Sequence, residues 1–119
     1  MTGEDMLAHC LAKPGAWRDE PWEGEVVVKV GAKIFAFLGS AATSVGVKCG
    51  TDRDSADEWL ERYPGDASVM SHIGRYGWNT LQLAGAIPDD ELCDAVDDSY
   101  DAVVASLPRK DRPTGSPAR

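Results

Sequence analysis

Three lysines and three aromatic residues fall on alternate positions of four β-rich runs, and this pattern is the feature of the sequence best suited to chemistry. The runs are Glu25 to Val30, Lys33 to Leu38, Val45 to Cys49 and Trp78 to Ala84. Side chains alternate between the two faces of a strand, so each run divides into two sets. Val26, Val28, Val30, Ile34, Ala36, Leu38, Val45, Val47, Cys49, Leu81 and Leu83 form an apolar face that helices should cover. The other set is Val27, Lys29, Lys33, Phe35, Phe37, Gly46, Lys48, Trp78, Thr80 and Gln82. Lysines attract phosphate or carboxylate, and Phe and Trp rings stack on bases or other planar groups, so this face reads as a binding platform. The plainer alternative is that the lysine stems lie along a half-exposed sheet and the aromatics pack against the segment holding Trp17 and Trp22. A register slip of one residue would exchange the faces.

His72 and Arg75 extend the platform. They lie in Ser71-His72-Ile73-Gly74-Arg75-Tyr76-Gly77, a glycine-bearing loop that feeds into Trp78. The glycines at 74 and 77 would leave room beside Trp78 for a ligand, although His72 could equally be a loop-tethering donor. His9 stands next to Cys10, and on a helix the two point about 100° apart, which argues against joint metal ligation. Cys10, Cys49 and Cys93 are odd in number and widely spaced, so they read as reduced, buried small hydrophobes and not as a disulfide framework or a Cys-x-x-Cys site. Asp89, Asp90, Glu91, Asp94, Asp97, Asp98 and Asp101 spread around one helix. A hard cation needs oxygens converging at about 2.3–2.6 Å, so a solvated face is the better reading. No phosphate-binding loop, dinucleotide fingerprint or zinc helix is present. The expectation is a non-enzymatic protein without cofactor or metal.

The elements that must position these residues follow from periodicity and breakers. A first helix carries Met6, Leu7, Cys10 and Leu11 and stops at Pro14-Gly15. Ala16 to Trp22 reads as an irregular connection. Three strands follow, the first two joined tightly through Gly31-Ala32 as an antiparallel hairpin. Thr51 and Asp54 resemble a capping signal for a second helix that ends at Pro64-Gly65. After the loop and the fourth strand, a helix starts past Pro88 and runs to about Leu107 on a stripe of Leu92, Val96, Tyr100, Val103 and Leu107. Helix, three strands, helix, strand, helix predicts an α+β layer with antiparallel pairing.

The chain has 119 residues, 12 Lys+Arg and 20 Asp+Glu, a net charge of -8, with 43% hydrophobic and 27% charged residues. That is one ordinary globular domain, expected over residues 1–107, with no second domain. Residues 108–119 contain three prolines, four basic side chains and one acid, and read as a flexible basic tail. Removing this +3 from the total leaves -11 on residues 1–107. No run approaches the about 20 apolar residues of a membrane span. The acidic start Met-Thr-Gly-Glu-Asp lacks the charge of a secretory signal, which points to the cytoplasm.

Pro14-Gly15-Ala16-Trp17, Pro21-Trp22, Lys33-Ile34-Phe35-Ala36, Val47-Lys48-Cys49, His72 to Trp78-Asn79-Thr80, Pro88-Asp89-Asp90-Glu91-Leu92 and Asp98-Ser99-Tyr100 form an ordered set of motifs. Together, over about residues 4–110, they resemble the MmcQ/YjbR family. The resemblance implies a CyaY-like α+β fold with helices on one face of an antiparallel sheet. It also implies a DNA-binding role through a double wing of β-hairpins, no cofactor, and for some members an association with antibiotic biosynthesis or resistance in bacteria. The family's loop typically reads His-x-Asn-Lys-x-His-Trp; here Gly74, Arg75 and Gly77 replace the asparagine, the lysine and the second histidine.

Three readings follow. One is DNA binding through Lys29, Lys33, Lys48, Phe35, Phe37 and Trp78 with Arg75, which the acidic net charge opposes at long range. The second is a small planar or anionic ligand, such as an aromatic natural product, stacked on the same face; under either reading the protein is expected to be a monomer or weak homodimer. A frataxin-like acidic metal ridge is the third and rests on fold analogy alone. The DNA reading is the one carried forward, with the ligand reading next.

Overall fold

All three helices lie on one side of the sheet because each strand presents only one continuous apolar face. In this computed structural model, which describes residues 1–39 and 43–113, the elements run α1 (Gly3–Leu11), β1 (Ala16–Trp22), β2 (Glu25–Val30), β3 (Lys33–Gly39), β4 (Ser44–Lys48), α2 (Arg53–Arg62), β5 (Ala67–Val69), β6 (Trp78–Gln82) and α3 (Asp89–Ser106). The six strands pair antiparallel in the order β1-β2-β3-β4-β6-β5. Val28, Val30, Ala36, Val45, Val47 and Leu81 meet Met6 and Cys10 of α1 and Leu92, Val96 and Tyr100 of α3, all fully buried. The architecture is the α+β layer expected from the sequence. No helix among the described residues is long and apolar enough to cross a membrane.

The helix starts show why these segments fold locally. Thr2 caps α1, its Oγ1 accepting from the Asp5 amide at 3.0 Å while the Asp5 carboxylate accepts from the Thr2 amide at 3.1 Å. At α2 the cap is Asp52 with Ser55, not the expected Thr51 with Asp54; Asp52 Oδ1 accepts from the Ser55 amide at 2.9 Å. A carboxylate is the stronger acceptor, and it wins the position by one residue.

The segment 16–22 is a strand, not an irregular connection. Its Arg-Asp-Glu-Pro sequence lacks the alternation of a half-buried strand because β1 is a sheet edge, where Pro21 needs no second partner. The three-residue β5, at the other edge, buries only Ala67.

A β-bulge reorganises β3. Val28 pairs with Ala36 but Lys29 pairs with Ile34, so Phe35 is the extra residue and follows Ala36 to the helix side. Its ring is fully buried and meets the Tyr100 ring edge-on, centroids 5.1 Å apart. Ile34 takes the expected place of Phe35 beside Lys29. Lys33 pairs with the buried Val30, and its Nζ reaches the Ser106 hydroxyl of α3 at 3.0 Å. Lys33 and Phe35 therefore both leave the open face, because strict alternation cannot survive an inserted residue.

The bulge also parts β3 from β4, which among the described residues share one register pair, Phe37 with Gly46. Ser99 of α3 closes the gap: its hydroxyl donates to the Phe35 carbonyl at 2.7 Å and accepts from the Lys48 amide at 3.0 Å. Ser99→Ala should strand both groups in a dry environment and lower stability by about 2–4 kcal/mol. Urea denaturation followed by circular dichroism checks this; a change under about 0.5 kcal/mol would mean the seam closes by itself.

The tail expected to begin at residue 108 is packed over its first half. A 3-10 turn, Arg109–Asp111, follows α3, and Arg112 donates to the Leu107 and Ala105 carbonyls at 3.1 and 2.9 Å, ending the helix. Pro113 occupies the space where Gly15 lacks a Cβ. Residues 114–119 lie outside the described residues.

Candidate functional site

The open face of the sheet keeps Val27, Lys29, Phe37, Gly46, Lys48, Trp78, Thr80 and Gln82, and its two lysines are already engaged. Lys29 Nζ is 2.8 Å from the Asp19 carboxylate and sits over the Trp17 ring. The same contact holds the Asp19 carboxyl below its ordinary range, with the Lys29 hydrogen bond the largest cause. Lys48 Nζ donates to the Tyr76 carbonyl at 2.8 Å. Phe37 and Trp78 meet edge-on at 5.7 Å. The aromatic platform survives, while its cations have turned inward to protein partners.

The loop 71–77 is pinned and not roomy. A Cβ at Gly74 would overlap the Val69 side chain, and one at Gly77 would overlap the carbonyl oxygen of Gly50. The glycines are there for close approach of neighbouring atoms, so the space expected beside Trp78 is filled. Arg53, which the sequence did not single out, does the pinning. It donates to the Gly74 carbonyl at 2.8 Å, the Trp78 carbonyl at 3.2 Å and the Asn79 side chain, and pairs with Asp57. Asn79 is fully buried and donates to the Ala56 carbonyl at 2.9 Å. An asparagine at a core-facing strand position was the available signal, because a buried amide needs partners. His72 and Arg75 stay exposed; His72 adopts φ +69°, and Arg75 stacks on the Tyr76 ring.

Two surfaces remain available. Glu25, Phe37, Gly39, Ser44, Gly46, Met70, Ser71, His72 and Thr80 line an open hollow of about 410 Å³ on the sheet face. At the opposite end of the β2–β3 hairpin, the turn Gly31-Ala32 abuts the end of α3, with Leu107 and Asp111 against Gly31. Trp17 donates its indole N–H to the Gly31 carbonyl at 3.0 Å and leaves its ring 44% exposed.

The hairpin tip is where unpaired positive charge collects. Lys13, Arg18, Lys29, Arg53 and Arg62 each pair with a carboxylate. Among the described residues Lys33, Lys48, Arg75, Arg109, Lys110 and Arg112 do not, and four of these six lie at this end of the molecule: Lys33 follows the turn, and Arg109, Lys110 and Arg112 belong to the segment whose Asp111 carbonyl approaches Gly31. Asp111 is the one acid among them. The rest of the surface is strongly acidic. Along α3, burial and the neighbouring acids Asp101, Asp94 and Asp97 raise the Asp98 carboxyl above its ordinary range. Among the described residues no group of three or more His, Cys, Asp or Glu is placed to hold a metal ion. His9 instead contacts Asp97 at 2.8 Å, tying α1 to α3.

Burial pushes the Cys10 and Cys49 thiols up to about 12, and desolvation with nearby acids raises Cys93 as well. The thiolate is the nucleophile, so iodoacetamide at pH 8 should leave Cys10 and Cys49 unmodified in the native protein and label them only in urea. Mass spectrometry reads this; rapid native labelling of Cys10 would contradict the packing of α1.

Residues 11–102 match the model of the YjbR family. The chain belongs to the YjbR family. It is 31% identical over 114 residues to the uncharacterized protein YjbR of Escherichia coli K12, covering 94% of this chain and 95% of that protein. The YjbR-family fold also matches the crystal structure of Deinococcus radiodurans protein DR2400, a DUF419 domain, with a TM-score of 0.83 at 21% identity over 98% of this chain and 90% of that one. A Pseudomonas syringae protein is similar with a TM-score of 0.68 at 17% identity, over 83% and 96% of the two chains. These last two likenesses concern the fold. Within this YjbR-family chain, the ordered motifs that suggested the family fall on the elements that build the hairpin, the pinned loop and the α3 seam.

Proposed function

We propose that this YjbR-family chain binds the phosphate backbone of DNA, and that it does so at the tip of the β2–β3 hairpin and not across the open sheet face. The observation that carries the reading is the segregation of charge. In a chain of net charge -8, Lys33 beside the turn and Arg109, Lys110 and Arg112 in the segment packed near it have no carboxylate partner among the described residues. Partnered cations such as Lys29 have little field left for a ligand, whereas these four keep theirs.

A β-hairpin tip presents its backbone and flanking side chains outward, which suits a groove or a phosphate ridge. The exposed Trp17 ring beside Gly31 adds a flat apolar surface for an unstacked base or sugar. The acidic remainder opposes long-range approach and orients the molecule, so that only the basic end faces a polyanion. The double wing of β-hairpins that the family resemblance implies would use such a tip. No acid, base or nucleophile is needed for the role.

Fluorescence anisotropy of a labelled mixed-sequence duplex over a range of salt concentrations tests the reading. Contact with three or four phosphates should lower log K by about 3 for each tenfold rise in salt. Absence of binding at low salt, or binding that ignores salt, would overturn it.

A further inference from the structure

We propose that the hollow on the sheet face is a separate binding site, for a small planar organic cation bearing N–H donors. At about 410 Å³ it lies within the range of small-molecule sites. Phe37 and Met70 supply an apolar, polarizable floor, and Met70 Sδ lies over Gly46, where any larger residue would displace it. Around that floor stand Glu25, Ser44, His72 and Thr80. Among the described residues none of these four side chains makes a hydrogen bond or ion pair with protein, so the rim holds unused acceptors.

The rim chemistry selects the ligand's charge. Its lining includes a carboxylate and no lysine or arginine, and a carboxylate only accepts hydrogen bonds. The net charge of -8 adds a field that attracts cations and repels anions. A planar cation would lie on the Phe37 ring, itself braced edge-on by Trp78, with its N–H groups directed at Glu25. Trp22 pairs across the strands with Glu25 and is 64% exposed, which offers a second aromatic surface at the same edge. The site lies at the opposite end of the hairpin from the basic tip, about 15 Å along β2, so a small cation and a polyanion would not compete directly.

The test is a titration of isotope-labelled protein with proflavine, a planar cation, against anthraquinone-2-sulfonate, a planar anion of similar size. Proflavine should bind with a dissociation constant of about 0.1–1 mM and shift the amides of Phe37, Gly46 and Thr80 and the Met70 methyl group. Glu25→Gln, an exposed change, should weaken proflavine about threefold to fivefold without altering the spectrum of the free protein. Equal or tighter binding of the sulfonate, shifts centred elsewhere, unchanged affinity in the Glu25→Gln protein, or no saturable binding of proflavine would each overturn the proposal.

Discussion

Gly77→Ala should destabilise the fold by about 3 kcal/mol or more, the largest expected loss from adding a single methyl group to this chain. Two causes combine. Gly77 has φ +93°, a left-handed conformation that costs an L side chain about 1–2 kcal/mol. Its missing Cβ also faces the Gly50 carbonyl oxygen, a backbone atom that cannot rotate away, while the Gly77 carbonyl accepts from the Cys49 amide at 2.7 Å. Relief of the overlap would break that bond and loosen the Arg53 clamp on the loop. Gly65 supplies the control: it has the same φ of +93°, but nothing lies within 4 Å of the Cβ position. Gly65→Ala should therefore cost only about 1 kcal/mol, the conformational part alone. Urea denaturation of the two variants measures the difference. Equal losses would mean that the 49–50 segment yields and that the loop is not pinned as described.

The largest expected effect on binding belongs to the pair Lys33→Glu and Arg109→Glu. Together they would turn two attractive contacts into repulsions at the hairpin tip. Affinity for duplex DNA at low salt should fall by about tenfold or more, and the salt dependence should lose about two phosphates' worth of slope. Stability should change little, since Arg109 is exposed and Lys33 contacts only the Ser106 end of α3. Lys48→Ala is the matched control on the sheet face. Its ammonium group lies on the sheet face beside the Tyr76 carbonyl, away from the hairpin tip, so its loss should leave DNA affinity within about twofold. A larger effect from Lys48→Ala than from the pair would return the contact to the sheet face.

The layer architecture was legible because its signals are local and repeated. Alternating valines in β2 and β4, the Gly31-Ala32 turn, and the stripe from Leu92 to Leu107 each demand one covered face, and helices on one side satisfy them all. Phe35 was misassigned because a bulge inserts one residue into a period of two, and the Ser99 hydroxyl that takes up the Phe35 carbonyl there lies 64 residues away along the chain. β1 was unreadable as a strand because an edge needs no alternation. Lys29 and Lys33 stood together in the sequence pattern, yet Asp19 neutralises one while the other turns toward α3. Sequence shows which charges exist; pairing decides which remain available. The basic segment 109–112 was visible as charge, but its docking against Gly31 depends on packing between residues that are far apart in the chain.

The measurement that bears most directly on the central claim is an amide NMR titration with a mixed-sequence DNA duplex at low and near-physiological salt. Salt-sensitive shifts are expected at Gly31, Ala32, Lys33, Arg109, Lys110 and the Trp17 indole N–H, with Lys48, Trp78 and Thr80 still. Shifts confined to the sheet face, or none at low salt, would contradict it.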